Sequence, residues 1–229
     1  TFDTWESVGK WAEPLYSTRT IRNTELLELV SKVKLLSDEQ KVLKALEYVQ
    51  GEIRYVGIEL GINSHKPRIP DSVVENRYGD CKDKTLLLIS LLELMDIPAY
   101  PALVSTYGGV QLPEFLPKPN EFNHVITRVE LGDKVFWLDP TRNPQEGKLN
   151  QLGYQNYDYA LIVGHPSLDL AAMPVAPEDI AQIKTLEMFN VLSYEGAVDY
   201  TISTSYSGIE AEYMRSRISN QGLLNMNRN

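Results

Sequence analysis

Three residues in the middle of this 229-residue sequence have the chemistry of an activated thiol nucleophile: Cys81, His124 and Asp139. A thiolate attacks carbonyl carbons, an imidazole takes up the proton of a thiol, and a carboxylate orients the imidazole and stabilises its charged form. Cys81 is the single cysteine of the sequence and has no disulfide partner within it. A lone cysteine is more often a small buried apolar residue, so the residues around Cys81 must show whether its thiol is reactive.

The sequence around Cys81 predicts that this residue begins a buried helix. Asp80 and Asp83 form the pattern of a helix cap, and the residues that follow are apolar on nearly every face of a helix. Pro98 ends the pattern, so we expect a central helix over about residues 81–96. The positive end of a helix dipole favours the thiolate form of a cysteine in the first turn. The position of Cys81 therefore favours reactivity.

A predicted β-hairpin brings His124 and Asp139 to the same face of a sheet. Two strand-like segments flank Gly132-Asp133, a pair suited to a two-residue turn. A turn centred there places Asp139 opposite Ile126, and Ile126 shares its face of the strand with His124. The imidazole and the carboxylate are then diagonal neighbours within reach of a hydrogen bond. A shift of the register by one residue would separate them.

Each of these residues also has an ordinary structural explanation. Cys81 could be an inert core residue, His124 a strand-end histidine bonded to solvent, and Asp139 the start of a turn before Pro140. All three explanations would have to coincide with the geometry of a catalytic triad. We therefore favour a catalytic arrangement of the three side chains.

Three short motifs around these residues resemble those of a known family. They are YGDCKDK at residues 78–84, FNHV at 122–125 and WLDPT at 137–141. In this order they resemble the transglutaminase-like superfamily of cysteine hydrolases and acyltransferases, over about residues 38–165. The resemblance implies an α+β fold with a papain-like core, in which a central helix bearing the cysteine packs on an antiparallel sheet.

The resemblance also implies a role for each residue and an architecture for the protein. Cys81 is the nucleophile, His124 the general base and acid, and Asp139 the group that orients His124. The closer likeness is to bacterial multidomain proteins, usually exported, so we expect a periplasmic or cell-envelope location. We expect a transglutaminase-like domain with N-terminal helices over residues 1–175 and the truncated start of a following β-rich domain over residues 176–229.

The predicted function is acyl transfer or hydrolysis at amide or peptide bonds through a thioester intermediate. The resemblance favours hydrolysis over crosslinking, and it implies a peptide or protein substrate. The alternative is a non-catalytic domain of the same fold that binds a peptide, a glycan or a partner protein in a cell-envelope assembly. A structural protein with an inert Cys81 is a third interpretation, and it predicts a thiol that is unreactive at neutral pH.

A catalytic site of this kind also needs a donor for the oxyanion. The backbone N–H of Cys81, at the start of a helix, is the better-founded donor. The superfamily commonly adds a side chain upstream of the nucleophile, and Tyr55 is a candidate for it. We interpret Tyr55 as a packing aromatic at a helix end.

Composition and motifs exclude several other classes of function. The net charge is -9 and the pI about 4.9, so the protein repels nucleic acid and anionic lipid surfaces. The apolar run at residues 86–95 is too short to cross a bilayer. Known metal and nucleotide motifs do not occur, so we expect no cofactor or metal, and we interpret His65 and His165 as ordinary polar residues. Trp5 and Trp11 are expected in the core.

Overall fold

The computed structural model describes residues 2–17, 20–57, 64–142, 145–167, 169–175, 181–191, 193 and 195–221. The chain divides into two compact units. The first, here called the core unit, comprises Thr1–Asn150 and Tyr154–Val175, and the second, the hairpin unit, comprises Gln151–Gly153 and Ala176–Asn229. No helix within the described ranges has the length and apolar character needed to cross a membrane.

Helices and strands alternate along the core unit. Its helices are α1 (Trp5–Ala12), α2 (Thr24–Val33), α3 (Asp38–Glu52), α4 (Pro70–Asn76) and α5 (Cys81–Glu93). Its strands are β1 (Arg54–Tyr55), β2 (Tyr78–Gly79), β3 (Ala99–Val104), β4 (His124–Leu131), β5 (Lys134–Leu138), β6 (Tyr159–Ile162) and β7 (Leu170–Ala172). Short 3-10 turns lie at Glu13–Tyr16, Gly109–Glu114, Pro119–Glu121 and Leu149–Gln151.

The start of α5 is fixed by the predicted cap. Asp80 Oδ1 accepts the backbone N–H groups of Lys82 and Asp83, at 2.9 and 3.1 Å. In return, Asp83 Oδ2 accepts the N–H of Asp80 at 3.0 Å, which completes a capping box. Every helix residue from 81 to 92 is buried. The prediction of a buried central helix that begins at Cys81 is confirmed.

The end of α5 comes at Glu93, about three residues before the predicted end. Asp96 adopts a left-handed conformation, with φ of 59°. The N–H groups of Asp96 and Ile97 then return to the carbonyls of Glu93 and Leu92, at 3.1 and 3.0 Å. These two bonds form a Schellman motif, which reverses the chain ahead of the proline that was expected to end the helix.

A five-stranded antiparallel sheet, in the order β5-β4-β3-β6-β7, forms the centre of the core unit. Helix α5 packs against β3 and β4. On that face Leu103, Val125 and Leu161 form one apolar cluster together with Cys81. Alternate residues of the same strands, with Trp137, form a second cluster on the other face. The predicted α+β class, with the cysteine helix on an antiparallel sheet, is confirmed.

The hairpin of β4 and β5 has the predicted register. Thr127 pairs with Leu138 and Leu131 pairs with Lys134, so the turn contains two residues. Its first residue, Gly132, has φ of 59°, a conformation that suits glycine at the first position of a type II′ turn. The strand carrying His124 therefore runs directly into the strand that ends before Asp139.

The hairpin unit contains β8 (Ile183–Val191), β9 (Val198–Tyr206) and α6 (Gly208–Gln221). The two strands pair antiparallel over their full length. Phe189 stacks on Tyr200, with ring centroids 4.4 Å apart. The N–H of Gly153 donates to Glu212 Oε1 of α6 at 2.8 Å. The assignment of residues 176–229 to the start of a following domain stays a prediction.

Candidate active site

Cys81 is the first residue of α5 and is 2% exposed. The apolar cluster that contains it also includes Ala12 of α1 and Tyr16 of the turn after α1. Burial first, and then the charges near it, Cys81 among them, raise the pKa of Tyr16 well above its usual value, so this phenol stays protonated. The thiol therefore lies in a largely dry environment at the positive end of a helix.

A buried ionic cluster fixes the first turn of α5. Asp83 accepts the Arg68 N–H at 2.7 Å and the Arg68 side chain at 3.0 Å through Nε and 2.7 Å through Nη2. Lys82 Nζ lies 2.9 Å from Asp80 Oδ2, and both side chains are about 5% exposed. Burial and the charge of Asp83 raise the pKa of Asp80, and the hydrogen bond to Lys82 opposes this. These contacts hold the helix start, and with it the thiol.

His124 begins β4, and its ring contacts Asp139 and lines the same cleft as Cys81. Nε2 lies 2.9 Å from Asp139 Oδ2. Burial lowers the pKa of His124, but hydrogen bonds to Asp139 and Cys81 outweigh burial and raise it to about 10. Because Nε2 faces a carboxylate, it carries the proton, and Nδ1 is the nitrogen left for the thiol. A tilted Tyr157 ring lies 6.0 Å from the imidazole, centroid to centroid.

The Asp139 carboxylate, directly after β5, is held at both oxygens. Oδ1 accepts the N–H of Thr141 at 2.9 Å and its hydroxyl at 2.6 Å. Oδ2 is the oxygen that faces His124. Burial raises the pKa of Asp139, but the hydrogen bonds to His124 and Thr141 outweigh burial. The pKa of Asp139 is therefore lower than its usual value. An ionised carboxylate beside a protonated imidazole is the expected state at neutral pH.

A cleft with about 480 Å³ of empty space reaches Cys81 and His124. Its walls come from α1 and the following turn, from β3 and β4, and from the end of the Gly/Pro-rich loop, here residues 107–120 between β3 and β4. The walls combine apolar surface with polar groups, among them Ser64, Lys82 and Asn123. The apolar part includes Trp11, Leu15, Leu103, Pro119, Phe122 and Val125. The thiol and the imidazole are therefore accessible from one cavity that offers apolar and polar surface together.

Two residues also line the cleft, a position that the sequence did not predict for them. Trp11 packs against the core cluster, as expected of a core or staple residue, and His65 lies outside the helices and strands, as expected of a surface or loop residue. Their rings meet edge to face, with centroids 5.2 Å apart. The contact joins segments that are distant in sequence, and no local pattern reports it. Trp5 lies in the core as expected, and His165 lies elsewhere, with Nε2 3.3 Å from Glu130.

The described residues support neither Tyr55 as a second oxyanion donor nor a metal site. Tyr55 lies in β1 and is 48% exposed, so it is not the packed aromatic that was expected. It is also not one of the described residues that line the cleft. In the described part of the chain, no three side chains of His, Cys, Asp or Glu are grouped as metal ligands would be.

Comparison with known proteins shows a related fold. No family model matches the sequence, and no curated protein matches it either. A protein from Parabacteroides distasonis, provisionally described as a protease, has a TM-score of 0.58 and 11% identity, over 97% of this chain and 57% of that one. A protein from Cytophaga hutchinsonii, provisionally described as a cysteine protease, has a TM-score of 0.35 and 12% identity, over 82% and 60%. This chain thus spans little more than half of the first neighbour, with which it shares a fold.

Proposed function

We propose that this protein is a thiol-dependent hydrolase of amide or peptide bonds, built on a transglutaminase-like core. One observation carries the proposal: the His124 ring is hydrogen-bonded to the Asp139 carboxylate and lines the same cleft as Cys81, whose thiol lies at the start of a helix. This is the arrangement that an activated thiol nucleophile requires. The fold shared with a protein provisionally described as a protease agrees with it.

In the first half of the proposed reaction, Cys81 Sγ attacks the carbonyl carbon of the substrate. Before the attack, the thiol proton has passed to His124 Nδ1, and Asp139 stabilises the resulting imidazolium. The carbonyl oxygen becomes an oxyanion, which the backbone N–H of Cys81 stabilises because the first amides of a helix have no acceptor within the helix. The C–N bond then breaks, His124 returns the proton to the leaving amine, and a thioester remains on Cys81.

In the second half, water resolves the thioester. His124 takes a proton from the water, the resulting hydroxide attacks the thioester carbon, and the C–S bond breaks. The carboxylic acid leaves, and the Cys81 thiolate beside the protonated His124 is restored. A lysine side chain in place of the water would give transamidation. The products of the two routes differ, since only the second route links the acyl group to an added amine.

The cleft supports a peptide substrate. Its apolar walls, among them Trp11 and Phe122, suit a substrate side chain, while the polar groups suit an amide backbone. The end of the Gly/Pro-rich loop contributes Pro119 to the same wall. Exposed loops at a cleft commonly contact ligands. We therefore propose that peptides enter along this face of α1.

The test is the pH dependence of Cys81 alkylation by iodoacetamide, followed by mass spectrometry. We expect rapid reaction well below about pH 8.5, the range of an ordinary thiol, because His124 favours the thiolate. His124→Ala should slow the reaction at neutral pH. His165→Ala is the matched control, because this histidine lies away from the cleft, and it should behave as the native protein does.

Two outcomes would overturn the proposal. One is a thiol that stays inert at neutral pH, and the other is a thiol that reacts equally fast in the native protein and in His124→Ala. Either result leaves a binding domain with the fold of an enzyme. If the thiol is activated, a casein digest analysed with and without a fluorescent primary amine separates hydrolysis from transamidation.

A further inference from the structure

The last turn of α3 carries a buried glutamine that contacts the chain after β5. Gln50 Nε2 donates to the carbonyl oxygen of Asp139 at 3.0 Å and to Gln145 Oε1 at 2.9 Å. Gln50 Oε1 accepts the N–H of Gln145 at 2.9 Å. Both amide protons and the amide oxygen are therefore used. A flipped amide would place its oxygen against the Asp139 carbonyl, so the hydrogen bonds determine the orientation.

The direction of the Asp139 carboxylate depends on the backbone that Gln50 contacts. Asp139 begins a turn in which the N–H of Arg142 donates to the same carbonyl oxygen at 3.3 Å. Thr141, in that turn, holds Oδ1 of the carboxylate. These contacts orient the carboxylate within the turn. The bond from Gln50 differs because it ties the turn to another element, α3.

The same end of α3 also holds the helix that carries the thiol. Lys84 lies one turn after Cys81 in α5, is 1% exposed, and its Nζ donates to the carbonyl oxygen of Ile53 at 2.5 Å. Ile53 is the residue that follows α3. One helix end therefore contacts both the segment that bears Cys81 and the segment that bears Asp139.

We propose that Gln50 is a positioning residue of the site, an inference that rests on the proposed function. It fixes the Asp139 main chain so that Oδ2 stays within hydrogen-bond distance of His124 Nε2. The imidazolium is then stabilised, which favours transfer of the thiol proton of Cys81 to His124. Gln50 acts only through Asp139.

The test compares Cys81 alkylation by iodoacetamide, as a function of pH, in the native protein and in Gln50→Met. Met has nearly the volume of Gln and cannot donate to Asp139. A less well held carboxylate stabilises the imidazolium less, so the midpoint of the alkylation profile should rise by about one pH unit. Below the midpoint, the alkylation rate should fall about tenfold.

A second variant and a control separate positioning from folding. Gln50→Asn has the same amide on a shorter side chain that does not reach Asp139, and we expect the same shift. Val49→Ala, one residue earlier in α3, truncates a fully buried side chain that is not among the residues lining the cleft. It should lower the free energy of unfolding and leave the alkylation midpoint unchanged.

The ionisable groups around the thiol and the imidazole are unchanged in all three variants, so a shift reports on geometry. These groups are Tyr16, His65, Asp80, Lys82, Asp83, Lys84, His124, Asp139 and Tyr157. If folded Gln50→Met and Gln50→Asn keep the native midpoint, Gln50 has no positioning role. If the native protein itself lacks an activated thiol, the proposed function fails first, and this outcome is visible without any variant of Gln50.

Discussion

Asp139 Oδ2 lies 2.9 Å from His124 Nε2, and the two residues are joined by one hairpin with a two-residue turn. The chain between them is 14 residues long and is almost entirely strand. The imidazole–carboxylate pair is therefore formed by local structure, whereas Cys81 reaches it from α5 through tertiary packing. Substitutions in the hairpin and substitutions in α5 should therefore affect the reactivity of the thiol separately.

Asp139→Asn should weaken thiol activation while the fold persists. The amide keeps the shape of the carboxylate but removes the charge that raises the pKa of His124. Charge-assisted hydrogen bonds contribute about 1.5–3 kcal/mol, so alkylation at pH 6 should slow about 10- to 100-fold. Asp133→Asn, in the exposed turn of the same hairpin, is the control and should have no effect. Equal rates in the two variants would contradict the assignment of Asp139.

The stability of the protein should depend on the protonation of His124. Its pKa in the folded state, about 10, lies above the ordinary value of 6.5, so folding favours the protonated form. The stabilisation is fully present below pH 6.5 and is lost as the pH rises through about 10. Urea denaturation from pH 6 to 10 should show this loss for the native protein relative to His124→Gln. A constant difference between the two proteins across this range would refute the prediction.

The protonation of Lys84 should make the free energy of unfolding rise with pH, in contrast to the effect of His124. Burial lowers the pKa of Lys84 from 10.5 to about 8, although the negative charge of Asp139 acts to raise it. Between pH 8 and 10.5 the unfolded chain binds more protons, so the free energy of unfolding gains up to about 1.4 kcal/mol per pH unit. Lys84→Met should remove this contribution, as measured by urea denaturation across the range. Parallel profiles for the two proteins would show that the ammonium is not desolvated.

Gly79→Ala should distort the start of α5. A Cβ at this position would lie 2.8 Å from Asp83 Cβ and 3.2 Å from Val73 Cγ1, so the backbone or the helix cap must move. We expect a loss of about 1–3 kcal/mol in the free energy of unfolding, together with slower alkylation of Cys81. Gly57→Ala is the control, because its Cβ would meet its nearest neighbour at an ordinary 3.5 Å. Equal stability of the two variants would contradict the clash.

Local patterns in the sequence predicted much of the site. The capping pair Asp80 and Asp83 placed Cys81 at the start of a helix, and the Gly132-Asp133 turn set the register that joins His124 to Asp139. Both signals act over a few residues, and a helix cap or a two-residue turn allows few alternative backbone conformations. The packing of α5 beside the hairpin could be predicted only with the help of the family resemblance.

The supporting contacts could not be predicted in this way. Gln50 lies 89 residues from Asp139 in the sequence, and Trp11 meets His65 across the cleft. Such contacts depend on how whole elements pack, and the sequence near each residue carries no signal for them. Thr141 is an exception, because a threonine two residues after an aspartate is a common donor to its carboxylate in a turn.

The charges at the start of α5 give the site one more property, which concerns ionic strength. Asp80, Lys82, Asp83 and Lys84 are each at most 4% exposed and find their partners inside the protein, unlike the pair of Lys10 and Glu6 on the surface of α1. Dissolved ions screen exposed pairs but hardly reach buried ones. The reaction of Cys81 with an uncharged reagent should therefore proceed at nearly the same rate in dilute buffer and in molar salt.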